Sequence, residues 1–314
     1  MTRFDRRDFL QSTLWTAAGL PFAYDALSRT AAAADSSTAG GGIVAKALSE
    51  KITLFTGAGA NVVAVNGPDG LTLVDGGLEQ HSKELLKTAL KTTGARRVGT
   101  LFNTHWHPEQ TGSNETLGKS GARIIAHTNT KLWLTRRITV DWRPQPYGPF
   151  APKALPNETF YTTAQTMIGE EPVEYGYLGQ AHTDGDIYVF FRKTNVLVGG
   201  GVVSADRWPV LDYQTGGWIA GLVAGLDALI KLADEHTVIV PADGPVLTRA
   251  DLQAQRTGYF TLYDRLIKCL NKGLSPAETL ATDPAKDVNP QWGDASRFVT
   301  MAFKSLWGHY APDA

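Results

Sequence analysis

The sequence has a single cysteine, Cys269, so no disulfide can form within the chain. It sits among Leu266, Ile267 and Leu270 in an apolar helical pattern, the setting of a buried thiol without chemistry of its own. Neither sign of charge is in excess: 30 Lys and Arg face 31 Asp and Glu, a formal net charge of -1. Nothing in that balance suggests a basic groove for nucleic acid or a cationic face for an anionic membrane. The apolar run at residues 14–23 is too short and too interrupted to span a bilayer. No composition break marks a second domain, and residues 138–156 and 202–217 contain nothing like a phosphate cradle. Core-forming residues are plentiful: 43% of the chain is hydrophobic, with 8 Trp, 10 Tyr and 12 Phe, enough for one sizeable core in 314 residues.

Residues 3–10 read Arg-Phe-Asp-Arg-Arg-Asp-Phe-Leu, followed by the apolar run and an alanine-rich segment at 31–34. Paired arginines ahead of a mild apolar run and a small-residue cleavage region resemble a twin-arginine export signal; the competing reading is an amphipathic N-terminal helix. The resemblance implies that residues 1–34 are removed, that the partner during secretion is the twin-arginine export machinery, and that the protein works in the periplasm. That route carries folded chains, which suits a metal loaded before export and a lone cysteine. Residues 35–47 read as a linker, rich in Ser and Gly at 36–42, and residues 48–314 as one domain. The first 34 residues set Arg3, Arg6, Arg7 and Arg29 against Asp5, Asp8 and Asp25, so the mature part stays nearly neutral. A small-molecule substrate of little or no charge is compatible with that.

Short apolar runs at 52–55, 61–65 and 71–74 predict strands, the last two joined by the turn Gly67-Pro68-Asp69-Gly70. Residues 79–91 predict an amphipathic helix with Leu85, Leu86 and Leu90 on one side, and 98–102 a buried strand. A helix is expected from Ser113 or Asn114 and a strand at 123–126. Residues 138–156 hold five prolines and no period, and read as a long loop, a candidate substrate-facing flap. Strands at 173–178, 187–191 and 196–198 follow, then a helix at 219–232 and a strand at 237–240. Thr248 with Asp251, and Ser275-Pro276-Ala277-Glu278, read as helix starts, and a last helix is expected at 295–307. Strands, helix, strand and helix, given twice, suit two packed sheets covered by helices.

Chemistry concentrates at the histidines. His105 and His107 form a His-x-His pair directly after the strand at 98–102, where alternate side chains can converge on one point. His182, in Gly179-Gln180-Ala181-His182-Thr183-Asp184-Gly185-Asp186, is the candidate third imidazole. Three imidazoles make a catalytic-type zinc site with a position left for water.

Residues 103–114, Asn-Thr-His-Trp-His-Pro-Glu-Gln-Thr-Gly-Ser-Asn, resemble the metal-binding loop of the metallo-β-lactamase superfamily. The similarity continues through 73–77, 124–129, 156–160, 182–186 and 240–245, in the family's order. It implies an α/β fold of αββα type, two mixed sheets between helices with the metals at one edge. It also assigns His105, His107 and His182 to the first metal site. The second site departs from the family: the aspartate after the second histidine falls at Glu109, its neighbouring histidine at Gln110, the bridging aspartate near Gly201, and the last histidine at Asp243. Gln110 is a poor zinc ligand and Gly201 has no side chain, so one zinc ion is expected. A weakly held second metal supported by carboxylates, with Asp206 swinging in, is the alternative.

Glu109 and Asp243 are the candidate catalytic residues: Glu109 to orient the water or take its proton, Asp243 as acid, support for a ligand or substrate contact. The resemblance makes Asp75 structural, gives Asp184 and Asp186 the shaping of the His182 turn, and leaves His127 a non-ligand. Thr104 and Asn114 should brace the histidine loop, while His81, His236 and His309 have no partner motif. Trp133, Trp218 and Trp307 are expected in the core, Trp106 facing the pocket, and Trp142 and Trp208 as an apolar wall. The leading reading is a metallo-hydrolase acting on an ester, lactone, lactam or thioester. The others are an iron-dependent, dioxygenase-like enzyme and a metal-poor periplasmic binding or accessory protein.

Overall fold

Short turns separate four strands in succession: β1 (Val44–Ala47), β2 (Ile52–Thr56), β3 (Val62–Gly67) and β4 (Gly70–Val74), the last three largely buried. The computed structural model from which they are read describes residues 42–310. The expected export signal and most of the expected linker lie outside the described residues. Helix α1 (Glu79–Thr93) returns the chain to β5 (Val98–Phe102). Then come α2 (Pro108–Thr111), α3 (Asn114–Lys119), β6 (Arg123–His127), α4 (Thr128–Leu134), the hairpin β7 (Ile138–Val140) and β8 (Arg143–Tyr147), and β9 (Glu158–Phe160). Seven of these strands form one sheet in the order β1-β2-β3-β4-β5-β6-β9. Its first four strands pair antiparallel and β4, β5, β6 and β9 pair parallel.

The second sheet is built in chain order from β10 (Thr163–Ile168), β11 (Glu171–Tyr177), β12 (Ile187–Phe191), β13 (Val196–Gly200) and β14 (Val238–Pro241), with only the β13–β14 pair parallel. Helix α5 (Ile219–Leu232) makes the β13–β14 crossover, and α6 (Arg249–Asn271), α7 (Pro276–Ala281) and α8 (Ser296–Tyr310) follow. The sheets bury Val63, Val65, Val74 and Phe102 of the first against Val173, Val189, Phe191 and Val198 of the second. Leu85, Leu86 and Ala89 of α1 cover the outer face of the first sheet. Leu222, Leu226, Leu252, Leu262 and Phe303 of α5, α6 and α8 cover that of the second. The layers run αββα, as the sequence implies. Asn61 ties the halves together: its side-chain amide donates to the carbonyls of Pro241 at 3.0 Å and Gly244 at 2.9 Å.

The expected capping boxes are both present, at Thr248 with Asp251 and at Ser275 with Glu278. Three expectations change. Strand β1 falls inside the stretch read as linker; all four of its side chains are exposed, so backbone pairing with β2 places it without any apolar pattern. The proline-rich stretch 138–156 contains a hairpin. A two-stranded ribbon has no third strand for Pro144 and Pro146 of β8 to disappoint, and Ile138 and Val140 anchor it beside Leu134 and Trp106. Trp307 is 45% exposed on the last helix instead of buried. Among the described residues no helix is long and apolar enough to cross a membrane.

Candidate metal centre

Strands β4 and β5 run parallel and end side by side, so Asp75 and the loop 103–107 emerge at one edge of the sandwich. The turn before β12 and the end of β13 bring His182 and Gly201 to the same place. His105, His107 and His182 are all buried, and one ligand atom from each lies within 4.8 Å of the others. Their ring centroids form a nearly equilateral triangle of 4.6, 4.7 and 4.7 Å. Among the described residues this is the only group of three or more His, Cys, Asp or Glu side chains close enough to share an ion. Burial, and then the charge of the neighbouring histidines, holds the pKa values of His105 and His107 well below the ordinary histidine value. Both rings are therefore neutral near pH 7 and offer lone pairs, the state a metal requires. The donor set, three buried imidazoles, fits one metal ion.

Two of the rings are braced from behind. The Thr104 hydroxyl lies 2.8 Å from Asp75 Oδ2 and 3.0 Å from His105 Nδ1, and its backbone N–H donates to Asp75 Oδ1 at 2.8 Å. With Asp75 ionised the hydroxyl donates to the carboxylate and accepts from His105 Nδ1, leaving Nε2 bare. Burial pushes the Asp75 carboxyl up to about 8 against these hydrogen bonds, and its backbone sits at φ 65°. His107 turns Nε2 to Asp212 Oδ2 at 3.2 Å. The same oxygen accepts from the Thr215 hydroxyl at 2.6 Å, and that hydroxyl accepts from the Trp106 indole at 3.0 Å. A carboxylate behind a ligand imidazole sets its tautomer and angle. Asp212 is fully buried, and burial raises its pKa.

His182 is held differently. Its Nδ1 is buried with no hydrogen-bond partner, and Asp186 Oδ1 stands 3.6 Å away. Asp186 instead accepts the Thr183 N–H at 2.7 Å and hydroxyl at 3.1 Å, shaping the turn as expected. Asn114 and Asn103 brace the histidine loop through reciprocal amide bonds of 2.9 and 3.0 Å. His127 caps α4 and stacks on Tyr177 at 3.9 Å, outside the triangle. His309 stacks on Trp218 at 3.8 Å, while His236 is exposed beside Glu235.

The structure does not bring Glu109, Asp206 or Asp243 into the histidine group. Glu109 is half-buried on α2, where its charge adds to burial in raising the Tyr147 phenol. Asp243 is exposed, with Oδ2 3.4 Å from Arg207 Nη1, and Arg207 also holds Asp206 at 2.9 Å. The Trp142 ring lies 4.5 Å from the His107 ring. Trp208 instead stacks on Phe298 at 5.0 Å, because its loop turns onto the outer helices. Trp106 is fully buried behind the loop. Sequence reasoning missed Asp212; its one signal was a charged residue followed by Thr215 and paired glycines in an otherwise apolar stretch.

The family model described as the metallo-beta-lactamase superfamily matches residues 55–243. Metallo-beta-lactamase IND-1 of Chryseobacterium indologenes is 26% identical over 182 residues, covering 58% of this chain and 70% of that protein. Metallo-beta-lactamase type 2 of Bacillus cereus is 26% identical over 193 residues, covering 60% and 68%. Among solved structures, a metallo-beta-lactamase from Pontibacter korlensis aligns with TM-score 0.55 at 20% identity, over 68% of this chain and 96% of that one. The sec-alkylsulfatase Pisa1 from Pseudomonas sp. aligns with TM-score 0.70 at 15% identity, over 87% of this chain and 51% of that one. With the family's fold in place and three histidines gathered at its edge, this chain belongs to the metallo-beta-lactamase superfamily.

Proposed function

We propose that the chain is a hydrolase that uses one zinc ion, held by His105, His107 and His182, against an ester, lactone, lactam or thioester. The observation that carries this reading is the buried triangle of imidazoles, two of them backed by Asp75 through Thr104 and by Asp212. A zinc ion bound there supplies a Lewis acid that makes hydroxide accessible near pH 7 and steadies charge developing on a carbonyl oxygen. The chain supplies the rest. With an ion bound and Asp75 ionised, Thr104 would keep the His105 proton on Nδ1 and Asp212 the His107 proton on Nε2, leaving the opposite nitrogens as ligands. The Trp142 ring over His107 shields that face from bulk water. Gln110 and Gly201, where relatives carry second-site ligands, support a single ion. Glu109 and Asp243 are the proposed proton carriers, and Arg207 fixes the place of Asp243.

We also propose that residues 1–34 direct twin-arginine export and that the protein acts in the periplasm on a small-molecule substrate. Elemental analysis of protein purified from its native compartment, without added metal, tests the central reading. About one zinc per chain is expected of a mononuclear site; iron, or no metal, overturns it. A screen of the four substrate classes should find hydrolysis that the His105→Ala variant lacks.

A further inference from the structure

Gly201 follows Gly200, but the two glycines are needed for different reasons. Gly200 has φ 56°, a backbone shape that favours glycine, whereas Gly201 adopts no such conformation. What Gly201 lacks is space. A Cβ placed there would lie 2.7 Å from His182 Cε1, 2.8 Å from Cγ and nearer still to Nδ1. Its three nearest neighbours all belong to the His182 ring, and they are part of a rigid plane that cannot bend aside as the end of a long side chain would. On the other side the ring faces His105 and His107, each at 4.7 Å between centroids. Its Nδ1 makes no hydrogen bond that would hold it against displacement.

We propose that Gly201 is a positioning residue of the metal centre: the room left by its missing side chain seats the His182 ring and commits the centre to one ion. His105 and His107 are held by hydrogen bonds from behind; His182 is held by shape. The glycine at the position where relatives carry a bridging carboxylate is then an occupied space. A carboxylate put back at 201 meets the imidazole before it can reach an ion shared with Glu109 or Asp243. This inference rests on the one-ion reading above.

The test is titration of metal-free full-length protein with zinc against a competing chelator, and with cobalt read by its visible spectrum. The wild type should take up one ion. Gly201→Ala should bind it about tenfold or more weakly, the loss typical when support for a ligand imidazole is removed, with an altered cobalt spectrum. Gly201→Asp should bind no more metal than Gly201→Ala. Gly199→Ala is the control: its Cβ would meet Val203 and Leu229, away from the histidines, so it should lower the Tm and leave metal affinity unchanged. A thermal cycle covers the case in which Gly201→Ala folds poorly. In a His182→Ala background the ring is gone, and adding Gly201→Ala should no longer lower the Tm. Wild-type metal affinity in Gly201→Ala, two ions in Gly201→Asp, or an equal Tm loss with and without His182 overturns the proposal. A wild type that binds no metal overturns the one-ion reading itself, while the thermal cycle still decides whether Gly201 seats His182.

Discussion

The two walls of the centre are built on opposite principles. The wall from the first sheet carries His105 and His107, and each ring hands its outer nitrogen to a network ending in a buried carboxylate, Asp75 or Asp212. The wall from the second sheet carries His182, which has no such network and lies flat against a glycine. Hydrogen bonds fix tautomer and angle but demand that both partners stay in register. Shape fixes position alone and tolerates no added atom. The difference teaches where the site is sensitive: to polarity on one wall and to volume on the other.

The largest effect tests whether the walls form one site. His105→Ala should abolish zinc binding, measured by elemental analysis after dialysis against trace metal; unchanged metal content would dissolve the centre. Next comes the polar contrast. Asp212→Ala should weaken zinc binding about 10–100-fold. Asp186→Asn, which keeps an acceptor for the Thr183 N–H and removes only the charge 3.6 Å from His182, should cost much less, because no hydrogen bond joins that carboxylate to the ring. Equal losses in the two titrations would erase the distinction between the walls.

A smaller effect is a pH slope. Folded Asp75, raised to about 8, still holds a proton where the unfolded residue, near 3.8, has lost it. Its contribution to the stability of the metal-free protein therefore falls as pH rises through that window. His105 and His107 act in the opposite sense: lowered in the fold, they cost stability as pH drops below 6.5. Between pH 6.5 and about 8 the carboxyl dominates these three, with a slope of at most about 1.4 kcal/mol per pH unit. Urea denaturation should show Asp75→Asn losing that part of the slope; an unchanged slope would mean that the folded carboxyl is ionised. The smallest effect belongs outside both walls. Asp243→Asn, at an exposed pair with Arg207, should change stability by less than about 0.5 kcal/mol and leave metal content intact. A loss of metal there would extend the centre to a third wall.

The parts of this molecule legible in its sequence are those whose signal is local. Strands β5 and β12 and helix α5 fall where apolar runs put them, and both capping boxes sit on their four-residue signatures. The three histidines could be read because His-x-His after a buried strand joins local spacing to a family pattern. What escaped depends on distant partners. Asp212 becomes a support only when its loop meets a residue 105 positions earlier. Strand β1 has four exposed side chains and exists through β2 alone. Gly201 looked like a lost ligand because spacing cannot show which ring fills the gap.

The 105 residues between His107 and Asp212 also have a consequence in time. At translation rates of about 5–20 residues per second, the His-x-His loop waits roughly 5–20 s on the ribosome before its backing carboxylate is made. During that interval His182 and its glycine seat are also missing or unfolded, and the loop alone has two unsupported imidazoles. Metal capture should thus come after synthesis has passed the second sheet, and a nascent chain halted before residue 200 should leave the metal pool of the cell untouched.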